Sequence, residues 1–364
     1  MAQQVSTGEY DSVLLVSFGG PRGPGDVIGF LENVTAGRGI PPQRLAEVAE
    51  HYLLFGGVSP INAQNEALLA ALRKELAQAG LALPVYWGNR NWNPHLVDAV
   101  RDMAADGRRR ALAFVTSAYS SYSGCRQYRE NVFDAAAQVP GAPVIDKVRP
   151  YFDHPGFVGP FVDATVGALA ELPHGARDGA RLLFSTHSLP QAQADASGCL
   201  DLPGGAYVAQ HLATAELVAQ RVEQETGVAR GWDLVFQSRS GPPGQPWLEP
   251  DVGERIEELA AQGAPGAVVV PIGFVSDHME VVYDLDTLAR GTAQAVGLPL
   301  ARAATPGTDP RFVAMVVELV RERAGGGPAP RRAALSPLGP WRDVCAAGCC
   351  PNPRGPRPAV AGQD

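Results

Sequence analysis

Short apolar runs that end abruptly in polar or glycine residues recur along the chain, and helical periodicity follows them. The run at 12–16 stops at Ser17-Phe-Gly-Gly-Pro21, that at 85–87 at Gly88-Asn-Arg90, and that at 111–115 at Thr116-Ser-Ala-Tyr119. Three more occur at 182–184 before Ser185-Thr-His187, at 234–236 before Gln237-Ser-Arg239, and at 267–272 before Ser276-Asp-His278. Between them, residues 42–54, 65–79, 213–226 and 252–262 repeat apolar side chains at i, i+3 and i+4, which gives a helix one buried face. Strands alternating with helices at this pitch predict an α/β fold with parallel, doubly wound sheets covered on both faces. The pattern divides into a first lobe at 8–92, to which 298–323 returns, and a second lobe at 93–290.

With 364 residues, 45 % of them hydrophobic, the chain can fill two medium cores. From Gly325 the composition turns to Gly, Pro and Arg, so 325–364 is expected to be a poorly ordered extension unless something pins it. No secretion signal opens the chain, and no apolar run reaches the roughly 18 residues of a membrane span. A soluble, cytoplasmic monomer is expected. The net charge of −8 argues against nucleic acid as a partner, because phosphate binding rests on clustered Lys and Arg. A small or amphipathic substrate fits better.

The candidate chemistry concentrates where apolar runs end. After the run at 267–272, Asp277, His278, Glu280, Asp284 and Asp286 follow in quick succession, a set suited to a divalent cation or to protons in transit. Of the seven histidines, only His187 and His278 sit just past the carboxyl end of such a run, where parallel α/β sheets place their sites. A neutral imidazole there can take up a proton and return it to solvent. Ser185 and Ser188 lack the G-x-S-x-G elbow of a serine hydrolase.

Several motifs, in order, resemble those of ferrochelatases, the enzymes that insert Fe(II) into a porphyrin. They are Ser17-Phe-Gly-Gly-Pro21, Phe55-Gly-Gly-Val-Ser-Pro-Ile-Asn62, Thr186-His-Ser-Leu-Pro190, Tyr207-Val-Ala-Gln210, Phe236-Gln-Ser-Arg-Ser-Gly241 with Trp247-Leu-Glu-Pro250, and the block from Pro271 to Asp286. The resemblance implies two Rossmann-like lobes with the active-site cleft between them. It implies His187 as proton acceptor or iron-side ligand, Glu280 as its partner in moving protons or metal, and Asp284, then Asp286, on an acidic path for Fe(II). A flat macrocycle edged by propionates calls for apolar walls, for which Phe18, Tyr119, Tyr122 and Trp247 are the candidates. Arg38, Ser59 and Tyr128 are the candidates for the carboxylate-binding rim. Where several bacterial relatives carry a ligating Tyr in the first strand-loop, this chain has Phe18, and Tyr86-Trp-Gly-Asn-Arg-Asn91 lacks a histidine that some relatives carry.

The cysteines extend the resemblance. Cys345-Ala-Ala-Gly-Cys-Cys350 resembles the C-terminal motif of ferrochelatases that hold a two-iron two-sulfur (2Fe-2S) cluster, with Cys125 as the fourth ligand and Cys199 as the spare. A four-thiolate zinc site and free thiols are the alternatives. The tail and the Arg- and Ala-rich composition are of actinobacterial type and imply coproporphyrin III as substrate, with a downstream haem-synthesis enzyme as a partner. The competing readings are a protoporphyrin IX ferrochelatase, a cobalt or nickel chelatase, and a non-catalytic haem-binding protein on the same scaffold. A cobalt or nickel chelatase would need more histidines at the strand ends, and a carrier has no need of a base.

Overall fold

Ser12–Ser17 (β1) is buried at every position, as a strand covered on both faces must be. The structure, a computed structural model, describes residues 8–37, 39–241, 244–325 and 332–363. Around β1 pair Val85–Asn89 (β2), Arg110–Val115 (β3) and Val144–Lys147 (β4), in the order β2-β1-β3-β4. A second sheet pairs Arg181–His187 (β5), Trp232–Gln237 (β6), Ala267–Val270 (β7) and Leu300–Arg302 (β8), in the order β6-β5-β7-β8. Every pairing is parallel.

The lobe boundary expected at residue 92 is corrected by this pairing. β3 and β4 belong to the first sheet, and β8, expected to return to the first lobe, edges the second. The sequence pattern located the run at 111–115 but could not say which strand it would join. β4 and β8 are too short and too mixed in polarity to stand out. Only Pro310–Ala324 returns, packing against the first-lobe helix Ile61–Gln78 and against Pro155–Glu171. A single buried cluster then takes Leu15 and Phe114 from one sheet, Phe184 and Val270 from the other, and Phe157 and Phe312 from the helices between.

Both sheets wind outward from a central strand, first to one side and then to the other. The crevice at such a reversal opens beyond the carboxyl end of the central strand. Phe18 follows β1 and His187 ends β5, so the two reversals deliver these residues to the cleft. Tight contacts fix the loops around them. Gly57 (φ 71°) lies where a Cβ would come within 2.5 Å of Pro24, so the Gly-Gly-Val-Ser-Pro turn tolerates no side chain there.

The extension is pinned, contrary to the expectation from composition alone. Trp341 is buried against Phe152, with ring centroids 6.2 Å apart. Buried Arg149 joins Glu322 to the Ala333 carbonyl, and Ser336 donates to Asp153 at 2.8 Å. Further on, Cys345 and Gln363 bridge back to one another through the backbone.

Candidate active site

His187 is the last residue of β5, and its ring orientation is set by a hydrogen bond to the Ser188 carbonyl. A carbonyl only accepts, so Nδ1 carries the proton and Nε2 presents a lone pair. A buried, uncharged network holds the main chain beneath it. Tyr207 has the His187 carbonyl and Thr186 Oγ1 both at 2.8 Å and one hydroxyl proton to share between them. Burial pushes the His211 imidazole down to about 3, so it stays neutral. Its Nδ1 donates to the Tyr207 carbonyl at 2.7 Å, and Nε2 accepts from Thr186 at 2.9 Å. Gly273 closes this network, since a Cβ there would stand 2.2 Å from Thr186 Oγ1.

The acidic block after β7 turns into the cleft. Met279 packs with Val27, Phe30, Leu31 and Tyr52, which draws the first-lobe helices Val27–Thr35 and Pro42–Leu53 over it. His51 stacks on Tyr283 at 4.0 Å. Val282–Ala289 is a π-helix that carries Asp284, to which Ser238 and Gln237 both donate. Ser238 adopts a left-handed backbone (φ 60°), a conformation of the kind that collects at functional sites. Burial pushes the Asp284 carboxyl up to about 6, helped by the charge of Glu280 and partly offset by the Ser238 and Gln237 hydrogen bonds. It is half protonated near that pH and ionised above it.

His278 is half-buried between Phe18, at 6.4 Å, and Phe274, at 5.3 Å. Burial lowers its pKa, and the charge of His187 adds to this while Glu280 and Asp277 oppose it. His187, His278, Glu280 and Asp284 therefore form one electrostatic group. Asp286 lies outside it, because Arg302 binds it at 2.9 Å and grips Asp277 with two bonds of 3.1 Å. Asp286, a candidate for the acidic path, is held here in an ion pair with Arg302. Arg302 holds both ends of the segment that carries Glu280.

The remaining candidates divide. Phe18 is half-buried at the cleft, and Arg90 reaches over its ring (5.6 Å) and over that of Tyr128 (4.4 Å). Arg90, fixed by Asn131 at 2.8 Å, is a cation that sequence reasoning passed over. Trp247 is half-buried beside Gly241, Ser59 is buried beside Gly20, and Tyr122 donates to buried Glu130 at 3.3 Å. Tyr119 is corrected from cleft wall to core: it stacks on His211 at 3.5 Å and donates to the Ile272 carbonyl at 2.9 Å. Arg38 lies outside the described residues.

Cys125, Cys345, Cys349 and Cys350 pack into a single buried cluster, and Cys199 is exposed. Gly198 N donates to Cys350 Sγ at 3.1 Å, and the sulfurs of Cys349 and Cys350 are 3.9 Å apart. The sulfur hydrogen bonds among them push Cys345 down and Cys125 and Cys349 up, while Lys147 and Arg129 favour the Cys345 thiolate. Two guanidinium nitrogens of buried Arg129, Nη1 and Nη2, find no hydrogen-bond partner among the described residues. An uncompensated buried cation favours thiolates over thiols beside it, so the donor set suits an anionic metal–thiolate centre. Among the described residues, however, no group of three or more His, Cys, Asp or Glu is arranged as a ready metal site.

A ferrochelatase family profile matches residues 10–324. The chain is 58 % identical over 372 residues to the coproporphyrin III ferrochelatase of Streptomyces coelicolor, an alignment covering 100 % of this chain and 99 % of that protein. It is 60 % identical over 357 residues to the coproporphyrin III ferrochelatase of Frankia alni, covering 97 % and 90 %. Among solved structures, SirB from Bacillus subtilis with Fe3+ is similar with a TM-score of 0.51 at 12 % identity, over 87 % of this chain and 98 % of that one, a likeness of fold alone.

Proposed function

The chain belongs to the ferrochelatase family, and from that premise we propose that it inserts Fe(II) into coproporphyrin III, giving coprohaem III and two protons. The observation that carries this is the full-length likeness to coproporphyrin III ferrochelatases. A free-base porphyrin keeps two N–H protons at its centre, so the metal enters only as they leave. His187 Nε2 is the acceptor for pyrrole protons on one face, held in register by the Tyr207 and Thr186 hydroxyls beneath it. Glu280 passes protons onward or receives the hydrated cation, and Asp284 extends the negative surface above pH about 6. Phe18 has no ligating atom and serves as an apolar wall. Tyr128, Ser59 and Trp247 complete the wall and rim, with Arg90 as a further carboxylate partner.

Coproporphyrin carries two more propionates than protoporphyrin, which has vinyls in their place. A rim built for the former leaves polar groups unpaired against the latter. With Fe(II) under anaerobic conditions and equal porphyrin concentrations, coproporphyrin III is expected to be metallated faster, followed by its visible spectrum. The opposite order would overturn the substrate assignment. No helix among the described residues is long and apolar enough to cross a membrane. A cytoplasmic monomer that hands its product to a downstream haem-synthesis enzyme completes this reading.

Cys125, Cys345, Cys349 and Cys350 would hold the 2Fe-2S cluster of the family's tailed members. When bound, it would supply a one-electron centre and thiolate bonds tying 345–350 to the turn at Tyr122–Arg126. The uncompensated Arg129 charge supports this assignment. Purified protein should then absorb in the visible and contain about two irons and two acid-labile sulfides per chain. Cys199→Ser should leave that signal in place, whereas Ser at any of the other four should remove it and open the tail to protease. Stoichiometric zinc without sulfide would show a different centre.

A further inference from the structure

Beyond Cys350 the extension runs along Tyr122–Arg126 and the helix Gln127–Ala137, held by buried groups on both. Asn352 donates to Glu130 at 3.0 Å, Arg126 donates to the Arg357 carbonyl at 2.6 Å, and Arg129 donates to the Val360 carbonyl at 2.6 Å. Asn352 Oδ1 also accepts from the Arg354 backbone N–H at 2.9 Å, which fixes the turn that directs the Arg354 side chain. Its Nη2 reaches the Tyr122 hydroxyl at 3.5 Å, and its Nη1 stands 3.6 Å from where a Cβ on Gly37 would be.

Both neighbours belong to the first lobe, and each adjoins an element that reaches the Phe18 ring. Gly37 follows Val27–Thr35, the helix whose Phe30 packs edge-on against Phe18 at 6.2 Å. Tyr122 precedes Ser123, whose carbonyl holds the Arg90 guanidinium that faces Phe18. The Tyr122 hydroxyl proton points to Glu130, so its oxygen offers Arg354 only a neutral acceptor. Among the described residues no carboxylate pairs with Arg354, whereas Arg357, in the same strand of tail, pairs with Asp134 at 2.7 Å. Arg354 is thus an exposed guanidinium with most of its donors unclaimed among the described residues, held by a braced turn beside Tyr122 and Gly37.

We infer that Arg354, supplied by the C-terminal extension, binds a carboxylate of the porphyrin at the cleft mouth, so that the thiol-anchored tail takes part in substrate binding. The inference rests on the porphyrin reading of the cleft. A planar guanidinium fork matches a propionate and is worth most where the macrocycle's own ring displaces water around it. It also gives the tail a direct reason to be packed beside the Tyr122–Arg126 turn.

The test uses the full chain and coproporphyrin III without iron, so that binding is read by porphyrin fluorescence apart from chemistry. Arg354→Gln is expected to raise Kd about 10-fold, the scale of one charge-assisted hydrogen-bonded contact. In turnover the loss should fall on KM more than on kcat. Arg354→Lys should recover part of the affinity, as a point charge without the fork. The difference from the parent should shrink as salt is raised. Arg357→Gln, which removes a neighbouring tail cation already paired with Asp134, should leave Kd unchanged. An unchanged Kd in Arg354→Gln overturns the inference while the porphyrin reading stands, and so does an equal weakening in Arg357→Gln, which would mean a loosened tail. Failure of the parent chain to bind coproporphyrin overturns the porphyrin reading and the inference together.

Discussion

His187→Ala is expected to lower iron insertion by about 10³-fold or more while leaving porphyrin binding measurable. The imidazole presents its Nε2 lone pair because Nδ1 is committed to the Ser188 carbonyl, and alanine removes that acceptor without touching the apolar walls that supply most of the binding energy. No neighbour can replace it. His278 is wedged between Phe18 and Phe274, and burial lowers its pKa, which weakens it as a proton acceptor. Anaerobic turnover with Fe(II), followed spectroscopically, together with a fluorescence titration of coproporphyrin, separates the two quantities. Turnover near that of the parent would remove His187 from its proposed role.

Glu280→Gln keeps the shape of the side chain and removes its charge, so it isolates proton or metal transfer from packing. A loss of about 10²-fold in rate is expected, the lower end of general acid–base contributions. The same change has a second signature. Glu280 raises the pKa of Asp284, so removing its charge should lower the Asp284 value from about 6. Any acid limb that Asp284 imposes on the rate should then move to lower pH. A loss of only a few-fold, with the pH profile unmoved, would reduce Glu280 to a structural group.

The position of these side chains at strand ends was legible because it is local. His187 closes an apolar run, and Glu280 and Asp284 follow another, so sequence order alone delivers them to the carboxyl ends of β5 and β7. Helix boundaries read from periodicity fall close to the observed ones, as at Pro42–Leu53 and Val252–Ala261, the latter started by an Asp251 capping box that is itself a local signal. Residues whose roles depend on distant partners were not legible. Tyr119 sits in a Ser- and Tyr-rich loop that reads as a cleft wall, yet the second lobe covers it with His211. Asp286 reads as one more acid in the block, and Arg302, sixteen residues on, makes it an ion pair. Arg90 had no signal beyond its place after a strand.

The sequence by itself determined the alternation of strands and helices, the placement of His187, Glu280 and Asp284 after strand ends, and the grouping of three cysteines in the tail. Tertiary structure decided which strands share a sheet, which polar residues are buried in pairs, and where the tail lies. A strand's period of two and a helix's of 3.6 state which face is apolar but not what will cover it. That choice is made by loop closure and burial across the whole chain. It put β3 beside β1, brought Cys125 to Cys345, Cys349 and Cys350 across more than two hundred residues, and set Arg354 beside Tyr122.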